Sequence, residues 1–210
     1  TQNNNEVDIQ IYGDITSWDW FEGEISSYTL SKQIEELDCD KINVYINSYG
    51  GEVKEGLAIY NQLKRHKATV KTVCDGFACS AASVVFMAGD ERVMSTASLL
   101  MIHNAWSWTS GNANELRKQA DDLDKITQAS INAYMQEVNI TEEELKQMLD
   151  NETWITPQEA LEMGFSTAIV NEKEAEEVSQ SVKKSLMKRI LNAKKDDDDN
   201  KDGDNDDNSD

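Results

Sequence analysis

Apolar residues fall on every second position at Val7, Ile9 and Ile11, and again at Ile42, Val44 and Ile46. That period predicts strands over 7–12 and 41–47, each with one buried face. Leu57, Tyr60 and Leu63 repeat at helical spacing and predict a helix over 57–65, followed by a strand over 69–75. From Ser80 to Ala88 the chain is apolar nearly all round, which predicts a buried central helix ended by Gly89-Asp90. Short strands are predicted at 92–94 and 99–103. A long amphipathic helix is predicted over 112–138, with Leu116, Ala120, Leu123, Ile126, Ser130 and Ala133 at steps of three and four. Strands alternating with helices in this way predict an α/β fold.

After Val170 the composition changes. Residues 1–170 have the size of a single domain, and the chain's 39% hydrophobic content is enough for a core. Residues 171–195 read as a charged helix with Ala175, Val178, Val182, Leu186 and Ile190 on one stripe, suited to self-association or a partner. Residues 196–210 carry nine Asp and one Lys, a net charge of 1 − 9 = −8 out of −20 for the whole chain, and read as a disordered acidic tail. Such a tail repels phosphate and argues against a nucleic-acid partner. Its Asp198, Asn200, Asp202 and Gly203 match half of a calcium loop, but the twelfth position is Ser209 rather than Glu, so no metal site is expected. No apolar run approaches the ~20 residues needed to span a bilayer, and no membrane partner is expected. Cys39, Cys74 and Cys79 form no disulfide or metal-binding pattern, which suits a reducing compartment.

The chemistry concentrates around Ser80. It stands where a strand ends at Gly76 and a small-residue helix begins, so the unpaired N–H groups of the helix start would face an oxyanion formed beside it. Serine at a helix start is most often a cap. Ser80 rises above that reading because a second glycine turn lies at Asn47-Ser48-Tyr49-Gly50-Gly51 and a histidine follows the apolar run Leu99-Leu100-Met101-Ile102. A hydroxyl needs a base to become a nucleophile. Of the two histidines, His66 sits in the cationic end of a helix, whereas His103 closes a buried strand and is the candidate base. Cys79 adjoins Ser80 but reads as a small core residue.

The ordered set Asn47-Ser48-x-Gly50-Gly51, Gly76-x-Ala78-x-Ser80-Ala81-Ala82-Ser83, Met101-Ile102-His103 and Glu152-Thr153-Trp154-Ile155-Thr156-Pro157 resembles the Clp peptidase family over 7–170, and most closely its phage and prophage branch of head maturation proteases. The resemblance implies a crotonase-like superhelix of ββα units and a cofactor-free serine peptidase. In it Ser80 attacks, His103 moves the proton, and the backbone N–H groups of Gly51 and Ala81 form the oxyanion hole. It implies that the third triad position is Glu152, where housekeeping members carry Asp; Asp150 is the neighbouring competitor. The glycine turn has Tyr49 where the family usually has proline.

The resemblance also implies that the long helix is a handle. Together with a preceding strand at 106–111, it would join heptameric rings, single or double, and border a peptide or protein substrate such as a capsid or scaffold protein. The short segment before Val7 leaves docking to an AAA+ unfoldase an open alternative, and the expected compartment is the bacterial or phage-infected cytoplasm. A crotonase-fold enzyme without peptidase activity and an assembly protein with a vestigial triad are the other readings. Trp18, Trp20, Phe21, Trp106 and Trp108 lie in loop-like segments and suit either a groove or a core.

Overall fold

The computed structural model describes residues 5–17 and 25–170. The helix expected at 171–195, the tail at 196–210, and Trp18, Trp20 and Phe21 lie outside the described residues. The described elements belong to one compact unit, Thr1–Ile169, with Val170 at its end.

The elements run β1 (Glu6–Tyr12), β2 (Ile15–Thr16), β3 (Ile25–Ser26), α1 (Ser27–Glu35), β4 (Lys41–Ser48), α2 (Val53–Arg65), β5 (Thr69–Cys79), α3 (Ala81–Phe86), β6 (Glu91–Ser95), β7 (Leu99–Ile102), α4 (Ala113–Tyr134), α5 (Glu142–Asp150), β8 (Thr153–Ile155), α6 (Pro157–Met163) and β9 (Ala168–Val170). β1, β4, β5, β6 and β9 lie side by side, and β7 and β8 extend the sheet from β5. β4 pairs in parallel with β1 and β5, β5 pairs in parallel with β6 and β7, and β7 pairs antiparallel with β8. Parallel neighbours require crossovers, which α2 and α3 supply on either side of β5. The alternation at Ile42, Val44 and Ile46 puts all three at 0% exposure, packed with Ile59 and Leu63 of α2. Every residue of α3 is buried, as its unbroken apolar character predicts. This is an α/β fold.

Three elements differ from the sequence expectation. β5 continues past Asp75 and Gly76 to Cys79. The pairing of β4 with β5 shifts between Ile46 and Ser48, and there the Asn47 side chain accepts the Phe77 N–H at 3.2 Å in place of a backbone carbonyl. β5 then finds a new neighbour, pairing Phe77–Cys79 with Leu99–Met101 after pairing Lys71–Cys74 with Glu91–Met94. Secondly, no strand forms at 106–111. A strand needs a backbone partner, and this segment is held to α4 by single bonds from Ala105 N–H to Thr127 Oγ1 and from Gln119 Nε2 to Ser107 Oγ. Thirdly, α4 ends at Tyr134, and only its last turns, Ser130, Ile131, Ala133 and Tyr134, are buried. Leu116 and Ile126 from the same apolar stripe are 43% and 40% exposed.

A buried cation ties the far end of the sheet together. Arg92 on β6 donates from Nε to Phe165 O, from Nη1 to Gly89 O and Glu137 Oε2, and from Nη2 to Gly164 O, over 2.8–3.3 Å. Arg92→Ala would leave three carbonyls without these donors and is expected to lower stability by about 3 kcal/mol. A urea melt of the variant checks this: the midpoint should fall with an unchanged slope. No helix among the described residues is long and apolar enough to cross a membrane.

Candidate active site

β5 ends at Cys79 and α3 begins at Ala81, so one residue makes the whole turn. That residue, Ser80, has φ 53° and ψ −125°, a conformation that L residues adopt only when their surroundings hold them in it. Its N–H donates to Met101 O at 2.9 Å and its carbonyl accepts the Ser83 N–H at 2.9 Å. Ser80 therefore stands at the N-cap rather than in the first turn, and its side chain caps nothing. Instead Ser80 Oγ lies 2.8 Å from His103 Nε2.

The sheet brings these two side chains together. β7 runs beside the last residues of β5, with Cys79 opposite Met101, so Ser80 and His103 follow two adjoining strand ends. β8 is antiparallel to β7, with Leu100 opposite Ile155, Met101 opposite Trp154 and Ile102 opposite Thr153. The pairing ends at Ile102 and Thr153, and the next residues of the two segments are His103 and Glu152. Glu152 has φ 47°, and it lines the same cleft as Ser80 and His103 without a hydrogen bond to the imidazole. Asp150 Oδ1 accepts a 2.7 Å bond from Asn104 Nδ2, so its carboxylate is engaged one residue away from His103. His66 is turned to the backbone: its Nδ1 accepts the Ala68 N–H at 3.0 Å.

The glycine turn closes over the serine. Ser48 Oγ accepts the Gly50 N–H at 3.0 Å, and Ile15 N–H donates to Gly50 O while Glu52 N–H donates to Ile15 O, both at 2.8 Å. A Cβ on Gly50 would stand 2.8 Å from Ser80 Cβ and 3.0 Å from Ala81 N, so only glycine lets the turn approach so closely. Gly51 has φ +144°, and a Cβ there would strike the Ile15 carbonyl. Among the described residues, neither the Gly51 nor the Ala81 N–H donates to a protein acceptor. Two free donors thus flank the Ser80 position.

These groups line an open cleft of about 760 Å³, which also takes in Tyr49, Met101 and Trp106. Tyr49 stands edge-on to Phe77 at 5.5 Å, and Phe77 edge-on to Trp154 at 5.6 Å. This aromatic row packs along the turn at Tyr49. On the cleft wall the Ser17 hydroxyl, ahead of Lys54, holds the Glu52 carboxyl below its usual range. Burial pushes the Cys79 thiol up to about 11, which leaves it an unreactive core residue.

Two contributors escape sequence reasoning. The role of Ser48 as acceptor for Gly50 was available from the Ser-x-Gly spacing, a common side-chain turn. The Asn104–Asp150 bond joins the residue after His103 to the end of α5, and nothing local signals it.

The match to the Clp protease family spans residues 21–173. The ATP-dependent Clp protease proteolytic subunit of Deinococcus radiodurans is 34% identical over 134 residues, which cover 63% of this chain and 66% of that protein. The protein of the same name from Borreliella afzelii is 31% identical over 135 residues, covering 63% and 68%. The chain thus spans about two thirds of the length of these curated relatives. A mutant of ClpP1 from Listeria monocytogenes shares the fold, with a TM-score of 0.68 over 80% of this chain and 92% of that one at 24% identity. With more than half its length matched by the family, and with the elements of that fold in place, the chain belongs to the Clp protease family.

Proposed function

We propose that this chain is a serine endopeptidase with Ser80 as nucleophile, His103 as general base and Glu152 as the orienting acid. The observation that carries the reading is the 2.8 Å approach of His103 Nε2 to a serine hydroxyl at a strained strand-to-helix turn. Ser80 Oγ attacks the peptide carbonyl and passes its proton to Nε2. The carbonyl oxygen becomes an oxyanion that accepts hydrogen bonds from the Gly51 and Ala81 N–H groups. As the tetrahedral species collapses, Nε2–H protonates the leaving amine and the C–N bond breaks, leaving an acyl-serine. Water, deprotonated by the same nitrogen, releases the acid and restores the serine.

Glu152 is preferred to Asp150 as the acid because it lines the cleft with Ser80 and His103, whereas Asp150 is bonded to Asn104. Glu152→Gln is expected to lower kcat by about 10²-fold or more, as loss of an orienting acid does. Asp150→Asn is expected to stay within about threefold of wild type, since an amide still accepts from Asn104. Equal losses in the two variants would reassign the acid.

The exposed stripe of α4, together with Trp106 and Trp108 at 75% and 93% exposure, supports assembly through this face into rings of identical subunits, with heptamers as the expected size. Within the family we assign the chain to the phage and prophage enzymes that process capsid or scaffold protein, on the strength of Glu152 and Tyr49, which depart from the housekeeping motif. The names of the curated relatives favour a second reading, the proteolytic subunit of an ATP-dependent Clp protease. Incubation of the purified protein with fluorogenic peptides, without ATP, tests the peptidase reading. Cleavage that is lost on acylation of Ser80 supports it, and no cleavage by an assembled particle opposes it. Degradation of a folded protein only with an added unfoldase would select the second role.

A further inference from the structure

One buried pair of hydroxyls lies outside the chemistry above yet ends on the nucleophile. Ser83, 1% exposed in the first turn of α3, donates from Oγ to the Ser80 carbonyl at 2.6 Å, and its Oγ lies 2.8 Å from Tyr134 OH. A hydroxyl has one proton to give, so with that of Ser83 committed to Ser80, the phenol is the donor to Ser83. The result is a directed chain, Tyr134 O–H to Ser83 O–H to Ser80 C=O. Serine hydroxyls in a first turn often bond back to a carbonyl three residues earlier. Here the acceptor is the strained residue that carries the nucleophile, and a second element completes the chain. Tyr134 closes α4, is 2% exposed, and is fixed edge-on against Phe165 at a centroid distance of 6.0 Å.

A residue with φ 53° holds that conformation only if its surroundings fix it. At Ser80 the amide is tied to Met101 and the carbonyl to the first turn of α3. Rotation of this peptide group would swing Oγ away from His103 Nε2, and an in-line attack tolerates little misplacement. Hydrogen bonds in series strengthen one another, so the phenol firms the grip of Ser83 on the carbonyl.

We propose that Ser83 and Tyr134 are positioning residues, a buried hydroxyl relay that locks the Ser80 peptide and keeps its Oγ aimed at the base and the scissile carbonyl. This rests on the reading of Ser80 as nucleophile. The relay makes no contact with substrate, so its loss should slow acylation without weakening binding.

The test compares Ser83→Ala, Tyr134→Phe and the double variant of the full chain in three measurements: saturation kinetics of acylation by a fluorophosphonate, kcat and KM for a fluorogenic peptide, and the denaturation midpoint. Ser83→Ala is expected to slow acylation and kcat about tenfold, the rate equivalent of one hydrogen bond, with KM unchanged. Tyr134→Phe removes one oxygen and is expected to slow both about threefold, since the Ser83 bond survives unsupported. The double variant should be no faster than Ser83→Ala but more stable, because it no longer buries a phenol without an acceptor. Rate would then follow Ser83 while stability follows the pairing, which a purely structural role cannot produce. Should Ser83→Ala not fold, the threefold slowing of Tyr134→Phe at unchanged KM carries the test. Wild-type rates in the variants, or rates that track stability across the series, would overturn the inference. A wild-type chain that is not acylated at Ser80 would overturn instead the reading on which it rests.

Discussion

Ser80→Ala is expected to remove peptide hydrolysis, lowering kcat by at least about 10⁴-fold, because it removes the hydroxyl that lies within hydrogen-bond reach of the base. Cys79 is the nearest alternative in sequence, but it is fully buried in β5 with its thiol held protonated. The fold should survive, since among the described residues Ser80 Oγ hydrogen-bonds to His103 and caps no helix. The same residue allows a second measurement that does not depend on activity. Because φ is 53° at Ser80, Ser80→Gly should be inactive but more stable than Ser80→Ala by about 1 kcal/mol, through relief of backbone strain. Paired denaturant melts decide it. A glycine variant less stable than the alanine variant would show that the turn is not strained, and would weaken the case that the fold holds this serine in place for chemistry.

Gly51→Ala carries the second large effect. The φ of +144° disfavours any L side chain, and the added Cβ would meet the Ile15 carbonyl, which itself accepts the Glu52 N–H. The turn must shift, and with it the Gly51 N–H that is free to receive an oxyanion. Loss of one such donor costs about 10²–10³-fold in kcat. The strain should appear separately as about 1–3 kcal/mol of lost stability. Steady-state kinetics of the folded variant, below its melting range, separate the two. A kcat near that of wild type would exclude the Gly51 N–H from the oxyanion hole.

Much of this was legible from residue types and their periods. Alternation at Ile42, Val44 and Ile46 marked a strand, although Asn43 and Tyr45 on its other face are buried too, the apolar run after Ser80 marked a buried helix, and the apolar run before His103 marked the histidine that lies beside Ser80. What sequence left out are contacts made across the fold. β5 outruns its apparent end at Gly76 because the Asn47 side chain supplies a missing acceptor and β7 a missing neighbour, neither of which is adjacent in the chain. Glu152 reaches the cleft of Ser80 and His103 because β8 turns back antiparallel to β7, and the family motif, rather than any local pattern, pointed to it. Ser83 reads as one small residue in a run of them, and Tyr134 as one position on an amphipathic helix. The bond that joins them appears only when α4 packs on α3. The apolar stripe of α4 was read along its full length, yet a single chain buries only the last part of it.

The most direct measurement is to incubate the purified protein with a fluorophosphonate in the absence of ATP and to identify the labelled residue by mass spectrometry. Ser80 should carry the label, and His103→Ala should lose it while keeping its fold. Label on a different residue, or equal labelling of the His103→Ala variant, would contradict the Ser80–His103 pair as the catalytic centre.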